Sequence, residues 1–270
     1  MTTRTSSSEL TDVQGSSDFR KIAIDKVGVK SVTYPIRLRT PDGGEQHTVA
    51  SVNMYVSLPH HQKGTHMSRF LEVLNEHAQE IDPTGIMAIC HDIKERLNAS
   101  DAHLELTFTY FIRKIAPVTE SPGLMDYQVT FDVTSNGEDD FIMGVKVPAT
   151  SLCPCSKTIS AYGAHNQRCV IEARVRTSSM MWIEELVRIV ESAASAQVYS
   201  VLKRPDEKFV TEEAYDHPKF VEDIVRDLAL RLEQEKRITW YSINSENFES
   251  IHNHNAYAAI EKDKRPGPRK

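Results

Sequence analysis

The sequence predicts an α+β fold, and three observations carry that expectation. Long stretches alternate apolar and polar residues with the period of a half-buried strand. Other stretches space their apolar residues as one face of a helix. The helical stretches are collected between runs of strands instead of following each strand singly, which favours antiparallel sheet over a doubly wound parallel one. The order hairpin, helices, strand occurs twice, without a clear repeat of the sequence itself.

The first run opens with strands over 28–39 and 47–58, joined by the turn residues Pro41, Asp42, Gly43 and Gly44. Ala50, Val52, Met54, Val56 and Leu58 share one face of the second. Pro35 marks the first as an edge strand or a bulged one. A helix is expected over 66–81, with Phe70, Leu71, Val73, Leu74 and Ala78 inward. Another is expected over 83–98, with Ile86, Ile89, Cys90, Ile93 and Leu97 inward. A strand over 103–115 sets Leu104, Leu106, Phe108, Tyr110 and Ile112 on one face.

The second run repeats the plan. Tyr127, Val129, Phe131 and Val133 alternate, then Phe141, Met143, Val145 and Val147, around a hairpin signal at Asn136-Gly137. A strand carries Cys169, Ile171, Ala173 and Val175 on one face. A long helix is expected over 180–202, with Trp182, Leu186, Ile189, Val190, Ala193, Val198 and Val201 inward. A second helix starts near Pro218, a favoured first helical residue, and runs to about Lys236. A short strand at 238–243 follows, and the run ends with the His-rich segment and Tyr257 to Ile260. Cys90 and Cys169 lie on apolar faces and read as core packing.

A chain of 270 residues with 40% hydrophobic and 26% charged residues can bury a sizeable core. Its net charge of −6 gives no general pull toward nucleic acid or an acidic membrane, so neither is expected as a partner. Four unevenly spaced cysteines suggest a reducing compartment instead of a disulfide framework. The opening residues lack the apolar run of a signal peptide, and no stretch has the length of a membrane span, so cytoplasm is the expected location. The Ser/Thr-rich start and the Lys262–Lys270 tail are expected to lack fixed structure.

The stretch most loaded with chemistry is SLCPCSKTISAYGAHNQR, from Ser151 to Arg168. Cys153 and Cys155 flank Pro154, and His165 follows in a segment too polar and Gly-interrupted to be core. Thiolates and an imidazole on one loop suit Zn, Fe or Mn far better than Mg or Ca. A bare Cys-Pro-Cys is equally compatible with an ordinary loop holding a buried thiol. The full string is more specific. Together with KGTHMSRF (63–70), LKRPDEKFVTEEAYDHPKFVED (202–223) and ESIHNHNAYA (249–258), it resembles the type IB GTP cyclohydrolases over most of the chain and in the family's order.

That resemblance implies a tunnelling fold (T-fold) with two tandem modules, over 20–118 and 119–262, the second carrying the metal site, between tails at 1–19 and 263–270. It implies a homotetramer with a sheet barrel around a tunnel and active sites between subunits. It implies hydrolysis of GTP at guanine C8, giving formate and 7,8-dihydroneopterin triphosphate, the first step of tetrahydrofolate synthesis. The cofactor implied is one divalent transition metal per site, Mn, Fe or Zn, with no nicotinamide or flavin. Such a metal lowers the pKa of bound water to make a nucleophile.

Residue by residue, the resemblance points to Cys153, His165 and Glu207 as ligands, with one position open to water. Cys155 either ligates or acts as an acid or base beside the metal. His252 is matched as a proton shuttle, with His254 two residues on as its rival. The two histidines equally admit a ligand or surface role. Glu222 is matched as the carboxylate that accepts guanine N1–H and the 2-amino group; its plain alternative is a helix-surface pair with Arg226. Glu207 has the alternative of a solvated loop residue. Lys63, His66 and Arg69 precede or open a helix and offer a triphosphate seat, to which Lys157 and Arg168 can add; helix capping by solvated cations is the alternative. A Gly-rich phosphate loop is missing, which disfavours a P-loop nucleotidase. Two other functions compete: another T-fold enzyme such as a nitrile reductase of the queuosine route, needing nicotinamide and a nucleophilic Cys, and a non-catalytic zinc- or GTP-binding protein with a closed four-ligand site.

Overall fold

The computed structural model describes residues 12–77, 81, 83 and 85–265. Ala78, placed inward on the first expected helix, lies outside the described residues, as do the outer parts of both tails. The framework is one antiparallel sheet. Its strands are β1 (Ile24–Arg39), β2 (Glu45–Leu58), β3 (Ala102–Ile115), β4 (Pro122–Ser135), β5 (Asp139–Leu152), β6 (Asn166–Thr177), β7 (Ala196–Gln197), β8 (Ile238–Asn247) and β9 (Ala256–Asp263). Neighbours follow the order β1-β2-β3-β4-β5-β6-β8-β9, and β7 pairs separately with β5. β3 and β4, on either side of the turn that holds residue 118, pair from Ala102↔Ser135 to Ile115↔Pro122.

Period-two alternation decides which face is covered. Met54, Leu106, Phe131, Val145, Ile171 and Ile243 belong to one continuous buried cluster. The helices α1 (Met67–His77), α2 (Ile86–Arg96), α4 (Ile183–Glu191) and α6 (Val221–Gln234) contribute their apolar stripes to the same cluster. The opposite face is polar and cross-linked between strands, by Asn53 to Glu105 and Arg174 to Asp132. One covered and one solvated face is the usual solution for an antiparallel sheet. Arg174 reaches Asp132 across Gly144, where an added Cβ would lie 2.3 Å from the Thr130 hydroxyl oxygen.

The registers define two ends. Leu58, Ala102, Ser135, Asp139 and Thr177 lie at the lower end, and Ile115, Pro122, Leu152, Asn166, Asn247 and Ala256 at the upper. β5 pairs with β4 only as far as Lys146, so its last residues have a free edge on that side. β7 fills part of it, with Ala149↔Gln197 and Thr150↔Ala196.

That edge explains the largest departure from the sequence reading. The expected helix over 180–202 stops at Glu191, with Ser192 as its C-terminal cap. The Ala-rich continuation has helical spacing, but pairing the free edge of β5 satisfies backbone groups that a longer helix would leave bare. After β7 comes a helix that the sequence reading lacked, α5 (Arg204–Asp216), opened by Pro205 and by Asp206, whose carboxylate accepts from the Lys203 N–H. Smaller corrections follow. Residues 154–159 form a short helix, α3 (Pro154–Ile159), where a loop was expected. The first helix is described over Met67–His77, and Ile81, expected inside it, bridges Leu38 instead. β8 extends to Asn247.

Parts of both expected tails are ordered. Residues 14–18 bond to 61–65 through Asp18 N–H to His61 O and Lys63 N–H to Ser16 O, both 3.0 Å. Lys262 and Asp263 are in β9, and the Lys264 ammonium donates to the carbonyls of Leu232, Glu233 and Glu235 at the end of α6. Cys90 and Cys169 are buried as expected, and burial pushes both thiols up to about 12. Among the described residues no helix is long and apolar enough to cross a membrane.

Phe131 sits at the centre of the buried face, edge-on to Phe108 at 5.2 Å and to Phe141 at 5.3 Å. Phe131→Ala is expected to cost about 3–5 kcal/mol in urea unfolding, the range for deleting a fully buried aromatic ring.

Candidate active site

The site begins where β5 hands over to α3. The β5–β6 ladder ends with Leu152↔Asn166, and one further rung follows, Cys153 N–H to His165 O at 3.2 Å. That rung sets Cys153 and His165 side by side. Cys153 is extended, as an N-cap must be, and Pro154 opens the helix. The Cys153 sulfur accepts the Ser156 N–H at 3.5 Å. The Ser156 hydroxyl donates to Cys153 O at 3.1 Å and accepts the His165 N–H at 3.2 Å, so one serine ties the two residues together. Cys155 is exposed on α3.

The His165 ring is held from behind. Nδ1 lies 2.9 Å from Gln167 Oε1 and 3.2 Å from Ser250 Oγ. Gln167 Nε2 donates to Ser151 Oγ and to Glu249 Oε1. Asn247 Nδ2 also donates to Ser151 Oγ, and Ser245 to Asn247 Oδ1. Ser151, Gln167, Ser245 and Asn247 are all buried. Buried polar groups that bond one another this fully rigidify what they touch.

Three other elements converge on this end of the sheet. Val210 and Ala214 of α5 pack with Leu152, Ala164 and Ala196. Glu207 stands on the same helical stripe, one turn before Val210. Its placement in α5 corrects the loop position expected from sequence, and it is exposed. Glu222 is exposed in the first turn of α6, whose start is tied to the site by Lys219 N–H to Leu152 O at 3.0 Å. Arg226 pairs with Asp223, at 3.9 Å, and not with Glu222. His252 and His254 occupy the turn between β8 and β9, with their rings stacked at 5.1 Å. Their segment is bent, not extended, and reaches His165 through Ser250.

The structure therefore gathers Cys153, Cys155, His165, Glu207, Glu222 and His252 at the upper end. It does not close them into a ligand cage: among the described residues no three His, Cys, Asp or Glu side chains are grouped to hold a metal ion. Lys63, His66 and Arg69 lie elsewhere. They follow β2 at the lower end, where His66 pairs with Asp12 at 3.3 Å and the Arg69 guanidinium donates to Arg96 O. Lys157 packs on the Tyr215 ring at 4.1 Å, joining α3 to α5. The upper end has cations of its own. Arg113, Lys114 and Arg188 line a cavity of about 540 Å³ with Tyr127, Glu191 and Tyr199. Burial pulls the Lys114 ammonium below its ordinary value, and the Glu191 carboxylate 2.6 Å away opposes that.

The family model described as type I GTP cyclohydrolase folE2 matches residues 10–258. The chain belongs to the FolE2 GTP cyclohydrolase family. It is 55% identical over 256 residues to the GTP cyclohydrolase FolE2 of Geotalea uraniireducens, covering 95% of this chain and 94% of that one. It is 57% identical over 256 residues to the FolE2 of Aromatoleum aromaticum, covering 94% of each. Among solved structures, the uricase of Arthrobacter globiformis aligns with a TM-score of 0.52 at 8% identity, over 91% of this chain and 96% of that one. The uricase of Bacillus fastidious gives 0.52 at 10%, over 92% and 94%. At such identity these two speak for the fold alone, which is the tunnelling fold.

The chain also contains a positioning device that motif reading missed. Asp206, next to Glu207, is fully buried. Its carboxylate accepts from the Val118 and Thr119 N–H groups, the Thr119 hydroxyl and the Lys203 N–H. Burial would raise this carboxyl, but those four donors outweigh it and hold it well below its usual range. The signal was present in the sequence as an acid two residues past the start of a Pro-led helix. Asp206→Ala is expected to release α5, speeding hydrogen exchange there more than in the sheet and lowering turnover. Because the folded carboxyl is depressed, its contribution is complete above the unfolded value near 3.8 and fades as pH falls through the folded one. Docking of α5 should thus be insensitive to pH between about 5 and 8 and weaken only in strong acid; exchange measured across that range checks it.

Proposed function

We propose that the upper-end cluster is the active site at which this GTP cyclohydrolase opens guanine at C8, releasing formate and forming 7,8-dihydroneopterin triphosphate for folate synthesis. The observation that carries the reading is the rung joining Cys153 to His165, which puts a thiol and an imidazole side by side inside a FolE2-family chain. The donor set suits a divalent transition metal, Mn, Fe or Zn: one sulfur, one ring nitrogen with its other nitrogen already engaged, and Glu207 on the helix packed over them. When bound, such a metal supplies a nucleophile at neutral pH by acidifying water.

The chain's own residues do the rest. Glu222 is exposed and makes no side-chain hydrogen bond or ion pair among the described residues, which leaves its carboxylate available for guanine N1–H and the 2-amino group. His252, beside the ring of His254, would donate a proton to the imidazole nitrogen of the purine. Cys155, exposed one residue past Pro154, is free to serve as acid or base. Homotetramer formation with sites between subunits fits three features. β9 forms one edge of the sheet, with no further strand paired to it among the described residues. Ile159, Tyr162, Ile251 and Tyr257 expose apolar surface around the site. The Lys63–His66–Arg69 segment stands at the opposite end of its own chain, so it reaches a triphosphate only across a subunit boundary.

Metal-stripped protein incubated with GTP is expected to release formate and develop pterin absorbance only when Mn, Fe or Zn is restored. No formate with any of these metals would remove the reading. Cys153→Ala should lose metal and at least 10²-fold in turnover together, with unchanged circular dichroism; full turnover in that variant would contradict the ligand role.

A further inference from the structure

We propose that Gln167 is a positioning residue that fixes the tautomer of His165 and so aims Nε2, not Nδ1, at the metal. The inference rests on His165 being a ligand and goes one shell beyond it. A glutamine amide can be turned either way, and its direction is set by its neighbours. Here one neighbour leaves no choice. Glu249 Oε1 lies 3.1 Å from one amide terminus, and a carboxylate only accepts, so that terminus is the NH₂ group. Ser151 Oγ, 3.2 Å from the same terminus, accepts as well. The other terminus is therefore the carbonyl oxygen, and it faces His165 Nδ1 at 2.9 Å. A carbonyl oxygen only accepts, so Nδ1 carries the proton. The lone pair of the neutral ring then belongs to Nε2, the atom left for a metal.

Gln167 is itself locked. It is 8% exposed, and it extends from β6 two residues after His165. Asn247 donates to the same Ser151 oxygen at 2.9 Å, so β5, β6 and β8 all hold the relay. Glu249 acts through Gln167, and in this way it sets which nitrogen of the His165 ring is free. The chain of dependence runs from Glu249 to Gln167 to His165. Outer partners of ligating histidines typically carry 10–100-fold in metal affinity.

The test uses the whole protein labelled with ¹⁵N-histidine, metal-free, at a pH where the ring is neutral. His165 is expected to show the Nδ1–H tautomer in the wild type and to lose that preference in Gln167→Leu. Zinc affinity, read by competition with a chromophoric chelator, should fall about 10–100-fold in Gln167→Leu. Gln167→Glu keeps an acceptor facing Nδ1 and should keep the Nδ1–H tautomer. A residue of merely structural importance would lower the zinc affinity in Gln167→Leu without moving the tautomer. An Nε2–H tautomer in the wild type would overturn the proposal, as would unchanged zinc affinity in a folded Gln167→Leu. A wild type that shows the Nδ1–H tautomer but takes no metal would overturn the ligand role of His165 while leaving the relay standing.

Discussion

The candidate active site depends on where the β5–β6 ladder stops. A ladder that ended at Leu152↔Asn166 would leave Cys153 and His165 as two residues on a polar loop. One more rung, Cys153 N–H to His165 O, brings them together. Strand register is fixed by the buried face: a slip of one residue would turn Cys169, Ile171, Ala173 and Val175 outward. The core thus determines the pairing of the site through a register it enforces several residues away.

The same strand end recruits the remaining candidates, and the cause is unsatisfied backbone. β4 leaves β5 after Lys146. The exposed edge is then covered piece by piece: Ser195 N–H bonds Thr150 O, Ser195 Oγ accepts Leu152 N–H, and Lys219 N–H bonds Leu152 O. Each contact pins a segment that leads into a helix carrying a candidate residue. The 195–197 contact precedes α5 and Glu207; the Lys219 contact precedes α6 and Glu222. Asp206 completes the arrangement by holding α5 to the turn between β3 and β4. Glu207 and Glu222 are exposed because their neighbours, Asp206 and Lys219, do the anchoring.

Most of the sheet was legible from sequence because each strand has one buried face, and alternation reports it directly. The strands around Val52, Phe131 and Ile171 follow the expected faces. The stretch after Glu191 was not legible. Ala193, Val198 and Val201 match helical spacing, while the demand they meet, a free edge on β5, is a tertiary fact with no local signature. The site residues were legible as a family pattern, and Cys153 with His165 also as chemistry. Their spatial relation was not, since the rung joining them spans a loop. Lys63, His66 and Arg69 show the converse limit: a plausible local pattern, cations at a helix start, placed by topology at the wrong end of its own chain. Gln167 carries no such signal, because an amide gains this role only through partners distant in sequence, Glu249 among them.

We propose that the β5–β6 junction delivers one sulfur and one imidazole nitrogen to a single metal. X-ray absorption on the zinc-loaded protein reads both ligands. The account predicts a sulfur at about 2.3 Å with nitrogen or oxygen at about 2.0–2.1 Å, and loss of that sulfur signal in Cys153→Ala. A sulfur shell that survives Cys153→Ala, or a zinc site with only nitrogen and oxygen in the wild type, would contradict it.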